Sequence, residues 1–491
     1  NHALVFAEMD NPGISLPACS QMIFDEAHNL EEAATRFFSI ECSPARLNTL
    51  LRRIAVGRGA RRGGVLERLR RRLTASAGGR THQRNLHAAI GAALEAGENL
   101  RGAGRRLFHA MQALLDKDAT PLRYAGDADT PSAPRELSPL HPARATCREA
   151  LSRAIQTLQE LSDLLRQGTG EELDLLAEEQ AELAGLIQML KSFGADTETV
   201  LDARRGDHVF WVQRSRLREP LGEAWGAPLN IGPLLAETLY KQRQSVIFCS
   251  ATLSVGGRFQ FIGERLGLDR IPPERLQTRI AASPFDYVNQ CLVLAPTCLP
   301  EPNDRLAAYG DGLAELLRRV SIALRGRTLA LFTSYDMLRQ CERQLAHPLR
   351  RAGLHLLAQG SGGSRDYLLE VFRRDRNCVL LGTHSFWEGV DVMGAALSCV
   401  VLARLPFASP GEPIFSARCE QLERSGQGAF RALSLPAAVL RFRQGFGRLI
   451  RHRNDRGVVI VADTRLLTKS YGAVFRRGLP CPTLACPDLD D

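Results

Sequence analysis

Adjacent acids at the end of an apolar segment are the residues of this sequence best suited to chemistry. Met22 to Phe24 is followed directly by Asp25 and Glu26, and His28 lies two residues further on. Successive side chains of a strand face opposite ways, so two carboxylates at its end can take different roles on one ligand. One can hold a metal ion while the other polarises water, as nucleotide hydrolysis requires. The alternative is that Asp25 only caps a helix that begins near Asn29.

A second candidate group contains arginines. Arg448 and Arg451 are three residues apart, and Gln444 lies four residues before Arg448. A helix would place all three side chains on one face, where they could clamp a triphosphate or form a solvated surface. Gly445 and Gly447 lower helix stability in the same turn. Close approach of another domain or a ligand would explain these glycines.

Polar residues also follow several apolar segments of strand length. The clusters after the segments that end at 249, 332, 382 and 462 are Ser250-Ala251-Thr252, Thr333-Ser334-Tyr335, Thr383 to Asp391 and Asp463-Thr464-Arg465. Ligands of parallel α/β sheets bind at the carboxyl ends of the strands, so these clusters are expected to meet a ligand. By itself, the cluster from Ser250 to Thr252 is also typical of a helix cap.

Length and composition bound the class of protein. The 491 residues suffice for about three domains, and 44% hydrophobic with 24% charged residues is a globular composition. The sequence has neither an apolar run long enough to span a membrane nor a basic-then-apolar leader, which predicts a soluble cytoplasmic protein. The chain starts at Asn1 in an apolar run, Ala3 to Phe6, which we predict to be a short strand. We therefore expect the sequence to begin inside a larger protein.

Charge and cysteine usage narrow the partners. The net charge of +9 favours a polyanionic partner through phosphate neutralisation. The 12 cysteines are scattered, and several lie in apolar strand-like runs, so buried reduced thiols are expected. The tightest pairs, Cys481 with Cys486 and Cys291 with Cys298, lack the spacing of zinc or iron-sulfur sites. No metal cluster is predicted inside this chain.

The residue pattern changes along the chain and indicates its domains. Residues 1–37 and 207–274 have α/β character, whereas residues 38–206 carry Leu, Ala, Arg and Glu at helical spacing and predict an all-helical insertion. Residues 275–480 form a second α/β unit, and residues 481–491 a C-terminal tail. The predicted strands of this second α/β unit are 291–295, 328–332, 378–382, 399–403 and 457–462. Strands that alternate with helices predict a parallel sheet covered on both faces.

The insertion has two electrically different parts. Leu51 to Ala110 is rich in arginine, whereas Leu151 to Arg205 is acidic. The basic part is either a surface that faces phosphates or an exposed, partly disordered loop. The acidic part is expected to be a solvated helical hairpin. The Pro- and Asp-rich stretch from Ala119 to Pro142 is expected to link the two parts as a loop.

Taken in chain order, these segments resemble motifs II to VI of superfamily 2 helicases. The matching segments are Asp25 to His28, Ser250 to Thr252, Thr333-Ser334, Gly382 to Asp391 and Gln444 to Arg451. More narrowly, the chain resembles the XPD-like family and its bacterial DinG/YoaA branch. The segments that carry this narrower resemblance are Asn1 to Leu4, Ser283-Pro284-Phe285, Gly382 to Asp391, Leu405-Pro406-Phe407 and Gly445 to Arg451. The resemblance implies an α/β fold of two RecA-like parallel-sheet helicase domains, the first incomplete, with an all-helical arch-like insertion.

The resemblance also implies roles at a nucleotide site for ATP and Mg²⁺. Asp25 would coordinate Mg²⁺, and Glu26 would orient the attacking water. His28 would couple that site to the second domain. Arg448 and Arg451 would act as arginine fingers that stabilise charge on the transferring phosphoryl group.

Further residues are implied at the domain interface and on DNA. Gly389, Asp391 and Gln444 would lie at the interface that holds ATP. Hydroxyl groups would contact the DNA backbone from Thr252, Thr333, Ser334 and Ser385. Trp387 is expected either to stack on a base or to pack in the core.

The function implied by the resemblance is an ATP-dependent DNA helicase that moves 5′ to 3′ on single-stranded or forked DNA, as a monomer, in repair or replication. Its other partners would be repair or replication proteins, without a membrane. The sequence contains no G-x-x-x-x-G-K-[ST] phosphate loop. We expect that loop, and any [4Fe–4S] cluster, upstream of Asn1, so that this chain alone would not hydrolyse ATP. Two alternatives are a truncated, non-hydrolysing DNA-binding module and a DinG-like accessory of a nuclease or defence system.

Overall fold

The structure is a computed structural model, and it forms two compact units. The described residues are 1–10, 16–17, 19–55, 63–75, 80–116, 120–126, 134–167, 176–302, 306–387, 392 and 394–488. The first unit contains Asn1–Glu31, Ile231–Ser409 and Cys419–Asp491, and the second contains Glu32–Asn230 and Pro410–Arg418. None of the helices in the described ranges is long and apolar enough to cross a membrane.

The strands of the described residues form three sheets. In chain order they are β1 Gln21–Phe24, β2 Ile40–Cys42, β3 Leu122–Tyr124, β4 His208–Arg214, β5 Gly222–Pro228, β6 Ser245–Phe248, β7 Cys291–Pro296, β8 Thr328–Leu331, β9 His355–Ala358, β10 Cys378–Gly382, β11 Cys399–Leu402, β12 Gly457–Val461 and β13 Thr483–Cys486. The first unit contains a two-stranded sheet, β1-β6, and a seven-stranded sheet of order β13-β7-β12-β11-β8-β10-β9. The second unit contains a four-stranded sheet of order β2-β5-β4-β3.

The seven-stranded sheet is parallel throughout, and its central strands β8, β10 and β11 are buried on both faces. Leu329 and Leu331 of β8 pack into one apolar cluster, whereas Ala330 and Phe332 pack into another, as alternation along a strand requires. The helices that accompany this sheet are Tyr287–Gln290, Leu306–Ala323, Tyr335–Arg351, Arg365–Arg374, His384–Trp387, Leu435–Phe446, Arg465–Thr468 and Gly472–Arg477. All the strands predicted for residues 275–480 are present, and the structure adds the two edge strands β9 and β13.

The two-stranded sheet carries the acidic turn. Strands β1 and β6 pair in parallel with Phe24 opposite Phe248. Other helices in this part of the unit are Gly232–Leu235, continued by a π-helical turn at Ala236–Tyr240, and Gln260–Leu266. The predicted strand at Ala3 to Phe6 is wrong, because residues His2–Asp10 form a helix with Phe6 fully buried. A short apolar run does not by itself distinguish a strand from a buried helix.

The second unit is predominantly helical, but it contains an antiparallel sheet. Two of its helices, Leu30–Phe37 and Pro413–Arg424, share residues with the first unit, and the others are Pro44–Ile54, Val65–Ala75, Arg80–Ala113, His141–Arg166 and Ala177–Asp202. Strands β2 and β3 lie inside the range predicted to be all-helical, so that prediction is wrong for these residues. They pair with β5 and β4, respectively, which were assigned by sequence to the first α/β domain. The compact unit therefore runs to Asn230 rather than to residue 206, because residues on both sides of 206 share one sheet.

Opposite charges of the insertion pair with one another. Arg72 Nη1 lies 2.8 Å from Glu179 Oε2, and Arg68 also contacts Glu179 and Glu182. The Glu179 side chain is only 2% exposed, so this carboxylate faces the helix Val65–Ala75 rather than solvent. These arginines of the basic part are thus neutralised by the acidic part. Arg68 and Arg72 therefore give little support to the interpretation that the basic part of the insertion faces phosphates.

A later segment completes the second unit. Arg418 donates from Nε to the Leu229 carbonyl at 2.9 Å and from Nη2 to Thr35 Oγ1 at 3.2 Å. Ala417 and Ile414 pack with Trp211 of β4 in a small apolar cluster. The helix Pro413–Arg424 therefore begins on the antiparallel sheet and continues into residues of the first unit.

Candidate functional site

The acidic pair lies in a tight turn directly after β1. Glu26 has a left-handed backbone with φ of 49°, and its N–H donates to Asp25 Oδ1 at 2.9 Å. The Ala27 N–H donates to the Cys249 carbonyl at 3.0 Å, which joins the turn to the residue after β6. Both carboxylates are exposed. Within the described residues the helical turn Ala27–Asn29 has no side-chain cap, so the capping alternative for Asp25 has no support there.

His28 connects the acids to the loop after β6. Its Nδ1 lies 2.7 Å from Ser250 Oγ and 3.3 Å from Glu26 Oε2, and the Ser250 hydroxyl donates to Glu26 Oε2 at 3.3 Å. Burial lowers the pKa of His28, and Arg448 lowers it further, against an opposing effect of Glu26. A neutral imidazole can donate its Nδ1–H to Ser250, whose single proton then serves Glu26. Ser250 and His28 thus hold the Glu26 carboxylate in one orientation.

The loop after β6 is bonded to the helix Leu435–Phe446. Arg443 donates from Nη1 to the Ser254 carbonyl at 2.7 Å and from Nη2 to the Ala251 carbonyl at 3.3 Å. Gln444 donates from Nε2 to Thr252 Oγ1 at 3.4 Å, in a buried position. Residues 250–254 therefore link the acidic turn to the helix that precedes the two candidate arginines.

Arg448 and Arg451 do not lie on one helix face, which corrects the sequence-based expectation. The helix ends at Phe446 and Gly447 caps it, so Arg448 falls in the following turn. Arg448 is 8% exposed and donates from Nε to the Gln444 carbonyl at 3.1 Å. The Arg451 N–H donates to Asp455 Oδ2 at 2.9 Å in the next turn. The early helix end therefore removes the helix face that the two arginines were predicted to share.

A cleft of about 350 Å³ collects several of these groups inside the first unit. Its lining residues are Glu26, His28, Asn29, Arg365, His384, Ser385 and Arg448. The cleft therefore brings together Glu26, His28 and Arg448, which were predicted at a nucleotide site, and Ser385, which was predicted to contact DNA. Asp25, Thr252, Gln444 and Arg451 are outside this lining. A carboxylate and a guanidinium that face one cavity can respectively orient water and stabilise negative charge.

A glutamine organises the hydroxyl groups beside this cleft. Gln359, in the turn after β9, accepts through Oε1 from the Thr383 N–H at 2.7 Å and from Thr383 Oγ1 at 2.8 Å. Its Nε2 donates to Tyr335 Oη at 2.8 Å and to Ser385 Oγ at 3.0 Å. Both ends of the amide are thus used, which fixes Ser385 relative to the end of β10. The Ser334 hydroxyl accepts from the Met337 N–H at 3.4 Å and caps the next helix, whereas Thr333 is exposed.

Comparisons with known proteins identify what this chain is similar to. The helicase C-terminal domain family matches residues 317–481. The solved structure of S. tokodaii Xpd4 covers 98% of this chain with a TM-score of 0.54 at 14% identity, and the match covers 80% of that chain. The 3′-5′ exonuclease DinG of Bacillus subtilis is 31% identical over 505 residues, and the ATP-dependent DNA helicase YoaA of Haemophilus influenzae is 30% identical over 488 residues. The chain belongs to the DinG/YoaA helicase family.

The alignments cover nearly all of this helicase-family chain but only part of each relative. They span 99% of the chain and 51% of the DinG protein, and 98% of the chain and 66% of YoaA. The predicted fold class of two RecA-like parallel-sheet domains with a helical insertion is confirmed by the likeness to Xpd4, with the strands of the insertion as an addition.

Core packing explains Trp387 and Gly445, two residues whose roles in this DinG/YoaA chain the sequence did not decide. Trp387 is 2% exposed and donates from Nε1 to the Phe332 carbonyl at 3.1 Å, so the core interpretation is confirmed. A Cβ at Gly445 would lie 2.7 Å from the Trp387 ring. The glycine is needed for the approach of this indole. Gly389 and Asp391 lie outside the described residues.

Sequence reasoning on this helicase-family chain missed Gln359, Arg365 and Arg443, whereas His384 belongs to the predicted polar cluster Thr383 to Asp391. Arg365 donates from Nε to the Ser385 carbonyl at 3.0 Å, and its guanidinium carbon lies 5.8 Å from the centre of the Phe386 ring. Arg443 was detectable, because it directly precedes Gln444 in the segment already singled out. Gln359 and Arg365 had no such signal, because they flank a glycine-rich turn after an unpredicted strand.

Proposed function

We propose that this chain acts in an ATP-dependent DNA helicase that couples ATP hydrolysis to 5′ to 3′ movement on single-stranded DNA, in repair or replication. The observation that carries the proposal is the cleft shared by Glu26, His28 and Arg448. Hydrolysis of a nucleotide needs a group that orients water and a cation that stabilises charge on the phosphoryl group. The pairing of acid and guanidinium in one cavity supports an enzyme over a passive DNA-binding module.

The acids fit the metal of a magnesium nucleotide. Asp25 offers an exposed carboxylate at the carboxyl end of a parallel strand, and hard oxygen ligands are those that Mg²⁺ prefers. Asp25 would hold the ion, which neutralises charge on the phosphates when bound. Glu26 would orient the attacking water, because Ser250 and His28 hold its carboxylate in place. The chain carries no phosphate-loop sequence of its own.

Arg448 is our candidate for the cation that stabilises the transition state. Its guanidinium is largely buried, where the charge is less screened by water, and it lines the same cleft as Glu26. Arg451 keeps a proposed second role in the same charge stabilisation. Gln444 is proposed to couple conformational changes at the cleft to the loop after β6, through its hydrogen bond to Thr252.

DNA is proposed to contact the hydroxyl groups of Thr333, Ser334 and Ser385. Ser385 is exposed and lies between the Gln359 network and the cleft, so it can join DNA binding to hydrolysis. The expected DNA contact of Thr252 has less support, because this residue is 5% exposed and its hydroxyl faces Gln444. From the family resemblance we further propose that the protein is a monomer, that it binds forked DNA, and that its partners are repair or replication proteins.

The test is DNA-stimulated ATP hydrolysis by the full-length protein. Glu26→Gln is expected to reduce the turnover rate by about 10²-fold or more, and Arg448→Ala by about 10³-fold or more. Arg424→Ala is the control, because its side chain is 81% exposed and pairs only loosely with Glu420. Retained ATPase in the first two variants would refute the proposed roles of Glu26 and Arg448, whereas DNA binding without ATPase in the wild type would favour the DNA-binding module.

A further inference from the structure

Three side chains with different donor atoms converge at the amino-terminal ends of β9 and β10. His355 begins β9 and lies opposite Cys378, which begins β10, while Asp375 precedes β10 by three residues. His355 Nδ1 is 2.5 Å from Asp375 Oδ2. The donor atoms of all three residues lie within 4.8 Å of one another. Such an N, O and S set is more specific than a cluster of carboxylates, which occurs often on protein surfaces.

The backbone around this cluster is held by hydrogen bonds. The His355 N–H donates to the Asn377 carbonyl at 2.9 Å, and the Asp375 N–H donates to the Val371 carbonyl at 3.0 Å at the end of the preceding helix. The Asn377 N–H donates to Asp375 Oδ1 at 2.9 Å, which directs the other oxygen of that carboxylate toward His355. The backbone that carries the three donor side chains is therefore already ordered, so little conformational entropy would be lost when a ligand binds.

We propose that His355, Asp375 and Cys378 bind a divalent transition-metal ion, with Zn²⁺ as the ion that their chemistry favours. Zinc takes histidine nitrogen, carboxylate oxygen and cysteine sulfur in tetrahedral sites. The His355 side chain is 69% exposed, so water can fill a fourth position. The Cys378 thiol loses its proton to solvent as the metal–sulfur bond forms.

The metal-free alternative is a hydrogen-bonded His355–Asp375 pair. Two donors on one tetrahedral zinc ion stand about 3.3 Å apart, from bonds of roughly 2.0–2.1 Å. The 2.5 Å separation of Nδ1 and Oδ2 must therefore widen by a little under 1 Å when an ion enters. The exposed His355 side chain can make this movement by rotating away from Asp375. Cys378, fully buried in β10, would stay in place.

The position of the cluster predicts a structural rather than a catalytic ion. Cys378 and Gly382 are the two ends of β10, and four residue steps of a strand span about 13 Å. The cleft residue Ser385 follows the opposite, carboxyl end. A metal at His355 would instead tie the edge strand β9 to β10 and to the end of the helix Arg365–Arg374.

The experiment uses Co²⁺ as a probe for Zn²⁺ in metal-stripped full-length protein. Thiolate ligation gives Co²⁺ a sulfur-to-metal charge-transfer band, and tetrahedral ligation intensifies its visible bands. We expect these bands in the wild type, and we expect Zn²⁺ to displace the Co²⁺ that produces them. Cys378→Ser should lose the charge-transfer band, and His355→Ala should weaken Co²⁺ binding at least about tenfold.

Cys399→Ser is the matched control, because Cys399 begins strand β11 of the same sheet and is also fully buried. It should leave both bands unchanged. His355→Ala changes an exposed side chain and so tests the site even if Cys378→Ser fails to fold. Absence of the bands in the wild type, or their persistence in Cys378→Ser or at unchanged affinity in His355→Ala, would overturn the proposal.

Discussion

Arg443 and Ser254 join two segments that are 189 residues apart in sequence, through a 2.7 Å hydrogen bond from Nη1 to the Ser254 carbonyl. The second nitrogen of the same guanidinium reaches the Ala251 carbonyl at 3.3 Å. One side chain therefore holds both ends of the loop that carries Thr252. The loop also contacts the acidic turn through the hydrogen bonds of Ser250 with His28 and Glu26. A movement of the Leu435–Phe446 helix would therefore shift the Glu26 carboxylate.

Arg443→Lys is expected to uncouple ATP hydrolysis from DNA. Lysine keeps the charge but lacks the planar fork that spans two carbonyls. We expect DNA stimulation of the ATPase to fall by about tenfold, with single-stranded DNA affinity changed less than about threefold, for a loss of roughly one hydrogen bond to a charged group. Arg441→Lys, on the same helix, is the control. Equal losses in binding and stimulation would contradict a coupling role.

His28 is expected to make stability depend on pH. Burial holds its pKa below the ordinary value of 6.5, so the unfolded chain binds the proton more readily than the folded one. The stabilisation by neutral His28 is fully present above pH 6.5 and is lost as the pH falls below it. His28→Gln should flatten the fall in unfolding free energy below that pH, measured by urea unfolding at several pH values. The exposed His347→Gln should retain the wild-type pH profile.

Gln359→Leu is expected to weaken DNA binding. Leucine is similar in size but removes all four hydrogen bonds that the amide makes to Thr383, Tyr335 and Ser385. A net loss of about 1.4 kcal/mol corresponds to a tenfold higher Kd. Fluorescence anisotropy with a labelled single-stranded oligonucleotide measures it. Gln344→Leu, which breaks one exposed bond to Asp311, is the control, and equal affinities in the two variants would exclude a role for the network.

Gly445→Ala is expected to destabilise the part of the fold around the seven-stranded sheet. The added methyl group would lie 2.7 Å from the Trp387 ring, and forced overpacking typically costs about 1–3 kcal/mol. The midpoint of urea unfolding, followed by tryptophan fluorescence, should shift to a lower urea concentration. Gly263→Ala is the matched helical control, since its nearest neighbour would be 3.9 Å away. An unchanged transition in Gly445→Ala would mean that the helix moves freely away from the indole.

The parallel sheet could be predicted because its central strands are continuous apolar runs rich in valine and leucine. Edge strands have weaker patterns. β9 reads His-Leu-Leu-Ala, residues that favour helices as much as strands, and β13 exposes Leu484 on the sheet edge. Strands β2 and β3 have only three residues each, too few for an alternation to be detected.

The candidate site could be predicted only where chemistry and order in the sequence coincide. Glu26, His28 and Arg448 belong to segments whose residue types already implied nucleotide chemistry. Their connection through Ser250 and Arg443 depends on the pairing of β1 with β6 and on where the Leu435–Phe446 helix ends. Such tertiary relations have no local signal, which is why the shared helix face predicted for Arg448 and Arg451 was wrong.

The helix Pro413–Arg424 has a consequence for how this protein can change in evolution. A segment can be lost or exchanged between relatives only if the remaining chain folds without it. Ile414 and Ala417 pack with Trp211, so deleting Glu32–Asn230 would leave their apolar surface exposed to water. The helical unit and the distant segment Pro410–Arg418 must therefore be inherited as a pair, despite the long stretch of sequence between them.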